Sequence, residues 1–362
     1  MTRDYSRFLV PNGDEPKSER VLPTHEILGW QPFFAQQISV DDLIRTPPVR
    51  VTQVHRNALH VLGDGVDLTI PTLADATVGD WLLFDADAPG SSRLLDRKSL
   101  IKRRAPGRDR NFQLIAANID TVFIVSSCND DFNVARLERY VALVFDADVT
   151  PVIVLTKADL VDDVAPYQLA AQAISDRVTV VTIDARHEEP RAKLAPWCKP
   201  GKTVAFIGSS GVGKSTLTNA LAGRQSIETQ PIREDDAKGR HTTTRRHLHV
   251  VPGGCMVLDT PGMRELQLAD AASGIGDVFA DLRDLSAQCR FNDCQHLTEP
   301  GCAVLAAIES GGVDAARLGR WRKLIAEETY NSASLAERKS SDKALKRTIR
   351  QVMKHKKKRN GA

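Results

Sequence analysis

No apolar run in the 362 residues reaches the roughly 18 that a membrane-crossing helix needs. The most apolar stretch, residues 141–155, is broken by Asp146 and Asp148, so no membrane partner is expected. The first two dozen residues lack the apolar segment of a secretory leader, which points to a cytoplasmic protein. Six cysteines are too few for a disulfide scaffold. No internal repeat is visible, which argues against a solenoid or propeller. Aromatic residues make up only 5%, yet 42% hydrophobic and 26% charged residues exclude a largely disordered chain. Charge of one sign is also scarce, with 49 Lys and Arg against 46 Asp and Glu. The imbalance is local: residues 343–359 hold nine Lys or Arg and no acid, so any electrostatic partner belongs to that tail.

What is present divides the chain. Residues 1–48 carry several prolines and predict an extension with little independent structure, apart from an apolar island at Ile27-Leu28-Gly29-Trp30 and Phe33-Phe34. Over residues 49–103, short alternating segments at 49–54, 58–62, 66–70 and 80–85 predict a small β-barrel or sandwich. Residues 97–110 are basic, contain Pro106-Gly107 and read as a linker. From 111 to 270, apolar β-branched runs at 119–126, 149–155, 178–183, 203–207 and 255–258 have helical patterns at 134–145 and 214–222 among them. That alternation predicts an α/β domain with a parallel sheet covered on both faces. From 271 to 362 the strands stop, a cysteine cluster follows, and the rest reads as helices ending in the basic tail.

Three motifs bear on chemistry. Gly208-Ser209-Ser210-Gly211-Val212-Gly213-Lys214-Ser215 is a full phosphate-binding loop, preceded by a strand and followed by a helix that starts near Ser215 and Thr216. Its glycines let backbone amides wrap phosphate oxygens, Lys214 reaches the β and γ phosphates, and the Ser215 hydroxyl is a Mg2+ ligand. Asp259-Thr260-Pro261-Gly262 ends another strand, placing Asp259 to hold Mg2+ through water and Gly262 to sense the γ phosphate; the alternative is an ordinary turn. Thr156-Lys157-Ala158-Asp159 ends a third. There the Asp159 carboxylate can accept both the ring N–H and the amine of guanine while the Lys157 stem covers the base, which favours GTP over ATP. The alternative is a strand-ending turn with a helix cap.

Separately, Cys289-x4-Cys294-x-His296-x5-Cys302 offers three thiolates and an imidazole, the composition of a closed structural Zn2+ site. Cys128, Cys198 and Cys255 are far apart and read as ordinary strand or loop residues.

The base-reading motif precedes the phosphate-binding loop, which precedes Asp259, an order rearranged from that of ordinary GTPases. With residues 116–120 (Ala-Ala-Asn-Ile-Asp), Asp131-Phe132-Asn133, Arg139-Tyr140 and Gly239-Arg240-His241-Thr242-Thr243-Thr244, the chain resembles the circularly permuted GTPases of small-ribosomal-subunit assembly, the RsgA or YjeQ-like family, from about residue 25 to its end. The resemblance implies an N-terminal OB-type barrel, a permuted GTPase domain and a C-terminal zinc-binding helical domain. It also implies GTP and GDP as ligands, Mg2+, one structural Zn2+, and the small ribosomal subunit with its rRNA as partner. Thr156 stands where most GTPases have Asn, and the fifth GTPase motif is represented at best by Asp184-Ala185. Met263 occupies the position of the usual water-orienting Gln, so slow intrinsic turnover is expected. His241 is the water-positioning candidate that the resemblance supplies, and Thr244, just before Arg245, the preferred Mg2+ ligand among the three threonines. A monomer is expected. Competing readings are an RNA-binding scaffold that uses guanine nucleotide as a structural ligand, and an ATP-dependent kinase or ATPase on the same loop.

Overall fold

The computed structural model describes residues 24–104, 112–184, 189–223, 246–259 and 271–332. Three short helices open it: α1 (Thr24–Ile27), α2 (Pro32–Ala35) and α3 (Val40–Arg45). Four residues cannot sustain a helix in water, so α1 and α2 are folded by what they pack on. Leu28 and Phe34 are buried with Trp81, and the Trp30 and Trp81 rings meet edge to face at 4.8 Å. A reciprocal Ser39–Asp42 capping box starts α3.

Strands β1 (Pro48–Val54), β2 (Ala58–Gly63), β3 (Val66–Pro71), β4 (Trp81–Leu83) and β5 (Arg93–Leu94) are antiparallel: β1 lies between β2 and β4, β3 pairs β2, and β5 pairs β4. In β2 alternate residues are buried, which sends Leu59 and Val61 into a core of their own with Val49, Val51, Ile70, Leu82 and Phe84. Within the segment expected to be a linker, residues 100–104 are instead β6 (Leu100–Arg104), which pairs antiparallel with β7 (Phe112–Ala117) in a separate two-stranded sheet.

Next come β8 (Thr121–Ser127), α4 (Val134–Asp146), β9 (Thr150–Thr156), α5 (Ala165–Gln172), β10 (Thr179–Thr182), α6 (Glu189–Leu194), β11 (Thr203–Ile207), α7 (Lys214–Ala222), β12 (Arg246–Val250) and β13 (Met256–Asp259). Parallel pairing gives the order β10-β9-β8-β11-β13. All of β8 and β11 and nearly all of β9 are buried, because helices cover both faces. Along β8, Val122 and Ile124 point into one core, Phe123 and Val125 into the other. The chain winds outward from β8 to β10, then returns to place β11 on the far side of β8. That reversal makes the carboxyl ends of β8 and β11 the topological switch point, where open α/β sheets bind ligands.

Antiparallel pairing of β12 with both β13 and β1 joins the N-terminal strands to the parallel ones in one 11-stranded sheet. Arg50 of β1 reinforces the junction. Its buried guanidinium donates to the carbonyls of Leu28 (2.5 Å), Gly79 (3.1 Å) and Asn118 (3.0 Å), and burial pulls its pKa down to about 10.

Residues 271–332, the described part of the C-terminal region, carry α8 (Ala272–Val278), α9 (Ala280–Ser286), α10 (Ala303–Glu309) and α11 (Ala315–Ser332). Helix α8 crosses α4 at Gly274, where a Cβ would overlap the Ala142 carbonyl oxygen. Glu138 of α4, fully buried, accepts two hydrogen bonds from Arg320 of α11 (2.8 and 3.0 Å) and lies 3.5 Å from Arg317.

Candidate nucleotide site and metal centre

The loop between β11 and α7 sits at the β8–β11 switch point. Gly208, Gly211 and Gly213 have φ of +142°, +74° and +99°, conformations that side chains resist. At Gly208 the constraint is also steric, since a Cβ would strike the Val125 carbonyl oxygen of neighbouring β8. Val212 is buried and anchors the loop, while Ser210, Gly211, Ser215 and Thr216 are exposed around it. The Lys214 ammonium donates to the Gly208 carbonyl at 2.8 Å and also to that of Ser209. Such a loop, with amides at a helix N-terminus and a lysine at its mouth, suits phosphate.

Thr156 ends β9 in the same layer, fully buried. Its hydroxyl donates to the Val212 carbonyl at 2.6 Å, joining two motifs 56 residues apart. Lys157 follows in the left-handed region (φ +57°), and the chain then turns through Ala158–Leu160, where Asp159 is exposed. Asp259 ends β13, beside β11, with its backbone in register with His247 of β12. The carboxyl ends of β9, β11 and β13 thus bring residues 156–159, 208–216 and 259 to one edge of the sheet. Gly262, His241, Thr244, Met263, Ala185 and the tail at 343–359 lie outside the described residues.

Cys289, Cys294, His296 and Cys302 come together with ligand atoms all within 4.8 Å of one another. The Cys289 and Cys302 sulfurs are 3.8 Å apart, and His296 Nδ1 is 3.6 and 3.3 Å from them. Bonds of about 2.3 Å to a tetrahedral Zn2+ separate two sulfurs by about 3.8 Å, so the donor set fits such an ion. The other imidazole nitrogen, Nε2, is 3.2 Å from the Ser286 hydroxyl, which orients the ring, and the ring stacks on Trp321. Cys302 caps α10 and receives the Leu305 amide. All six cysteines are free of disulfides.

Two contributors have no motif. Glu299, in the loop before Cys302, accepts the amides of Leu297 (2.7 Å), Gln295 (2.9 Å) and Thr298 (3.0 Å), and these bonds pull its carboxyl down to about 2. Arg136, in the first turn of α4, reaches the Ser209 hydroxyl of the phosphate-binding loop. The only sequence signal for Arg136 is its place just after Asp131-Phe132-Asn133.

A family model described as RsgA GTPase matches residues 94–269. The chain is 50% identical over 335 residues to a small ribosomal subunit biogenesis GTPase RsgA 2 of Vibrio parahaemolyticus, covering 92% of this chain and 93% of that one. It is 48% identical over 318 residues to a small ribosomal subunit biogenesis GTPase RsgA of Mesorhizobium japonicum, covering 86% and 91%. Among solved structures it is similar to YjeQ from Thermotoga maritima, with a TM-score of 0.56 and 25% identity over 77% of this chain and 97% of that one. YloQ, a circularly permuted GTPase, shares the fold with a TM-score of 0.51 at 24% identity, over 78% and 95%.

Proposed function

Because the chain belongs to the RsgA GTPase family, we propose that it hydrolyses GTP to GDP and phosphate during late assembly of the small ribosomal subunit, with turnover stimulated by that subunit. The observation that carries this is the gathering of three separated segments at one sheet edge, with the Thr156 hydroxyl bonded to the phosphate-binding loop. Asp159 reads guanine and the Lys157 stem covers it; the Thr156 hydroxyl takes the bracing role of the usual Asn. Amides of residues 208–216 cradle the phosphates and Lys214 offsets their charge. When bound, Mg2+ supplies further charge neutralisation, with Ser215, Thr244 and Asp259 as its holders. Gly262 senses the γ phosphate and His241 aligns the attacking water, in place of the Gln that Met263 replaces.

Cys289, Cys294, His296 and Cys302 hold one structural Zn2+ in a domain of residues 271–362, beside a GTPase domain at 111–270. Residues 49–103 form an OB-type barrel; their antiparallel pairing and separate core support that reading. Barrel, zinc domain and the tail at 343–359 face rRNA, the tail by releasing condensed counterions. The protein acts as a cytoplasmic monomer; among the described residues no helix is long and apolar enough to cross a membrane. The test is GTP turnover with purified small subunits, large subunits or buffer. Stimulation by small subunits alone is expected; equal rates in all three would overturn the proposal.

A further inference from the structure

We propose that Arg136 is a positioning residue of the nucleotide site, holding Ser209 of the phosphate-binding loop from a helix that the C-terminal domain locks in place. The inference rests on the guanine-nucleotide reading of that loop and adds a residue to it. Arg136 is set by its own turn: the Asn133 side chain caps α4 and accepts the Arg136 amide at 3.0 Å. The guanidinium is then oriented by Asp131, whose carboxylate accepts Nη1 at 3.0 and 3.2 Å and whose carbonyl accepts Nη2 at 3.1 Å. Held by three bonds from one residue, the planar fork turns Nη1 onto the Ser209 hydroxyl.

Ser209 is therefore gripped twice, by Arg136 at its hydroxyl and by Lys214 at its carbonyl. The second grip is one that phosphate competes for, because phosphate oxygens attract the same ammonium. The Arg136 grip is the one that does not depend on Lys214, so it keeps the loop from reorganising when Lys214 changes partner. A loop ordered before binding loses less conformational freedom on binding, and that difference appears as affinity.

The foundation is stiff. Within the same helix Glu138 is bonded to Arg320, Arg139 pairs with Glu327, and the Gly274 crossing presses α8 against the α4 backbone. Arg136 thus reaches the loop from an element fixed at several points to α8 and α11, and does so with a side chain that is only part-buried, so its removal leaves the cores intact.

The experiment is a double-mutant cycle on the full chain: Arg136→Ala, Ser209→Ala and the double variant, read as Kd for a fluorescent GDP analogue and as KM and kcat for GTP. Each single variant is expected to weaken GDP and raise the KM for GTP about tenfold, with kcat falling less than about threefold, and the double variant to be no worse than either. Arg136→Lys should recover only part of the loss, because an ammonium cannot be oriented as a fork. Wild-type affinity in both single variants, or losses that multiply in the double variant, would overturn the role of Arg136. A wild-type chain that binds no GDP would overturn the guanine-nucleotide reading instead, and the two failures are distinct.

Discussion

Single side chains show how far nearest-neighbour pattern reaches. His247 lies in β12 with its ring centroid 3.6 Å from that of His249 and Nε2 3.1 Å from the Gln53 amide nitrogen. Burial first, then the neighbouring imidazoles of His249, His60 and His55, pulls its pKa down to about 4. The unfolded chain takes up this proton near pH 6.5 and the folded chain refuses it until about 4, so stability falls as pH drops through that window and is unaffected above it. His247→Gln should flatten the fall: between pH 7.5 and 5.5 the denaturation midpoint of the wild type should drop more than the variant's, and parallel drops would count against the assignment. None of this was legible in the sequence, since the ring's neighbours come from β1, β2 and β12. The phosphate-binding loop was legible because contiguous residues build it. Arg136 and Glu299 were not: one acts across 73 residues, and the other through amides that the amino-acid sequence does not specify.

At the scale of elements, continuous apolar, β-branched runs marked β8, β9 and β11, because strands covered on both faces must be apolar throughout. β12 carries Arg, two His and only two apolar residues, so its strand character comes from the partners on either side and not from hydrophobic pattern. The short helices at 24–35 escaped for a similar reason, being stabilised by contact with Trp81. Helix α4 is the element on which the rest is hung, and its crossing with α8 depends on the missing Cβ of Gly274. Gly274→Ala would push a methyl group into the Ala142 carbonyl, which cannot move without bending α4. A loss of about 1–3 kcal/mol in unfolding free energy is expected, read from urea denaturation. An unchanged midpoint would mean that the two helices separate easily.

For the whole molecule, the question is whether the regions read from composition behave as separate bodies. Phe279, Leu282, Val304, Leu318 and Trp321, around the metal-binding set, belong to the same continuous apolar cluster as Val141 and Ala142 of α4 and Ile124 of the parallel sheet. The buried Glu138 bridges the same boundary; burial raises its pKa, Arg320 and Arg317 oppose that, and leaving it unpaired would be costly. The proposed ion at Cys289, Cys294, His296 and Cys302 would therefore stabilise more than its own loop. The His296 ring stacks on Trp321, a member of that cluster, so an ion that fixes the ring also fixes part of the cluster's lining. Zinc chelation should accordingly lower the melting temperature of the full chain by about 10 °C while preserving one transition. Two resolved transitions, with the nucleotide-binding part melting where it did before, would show that the helices at 271–332 fold on their own account and that the shared core transmits little.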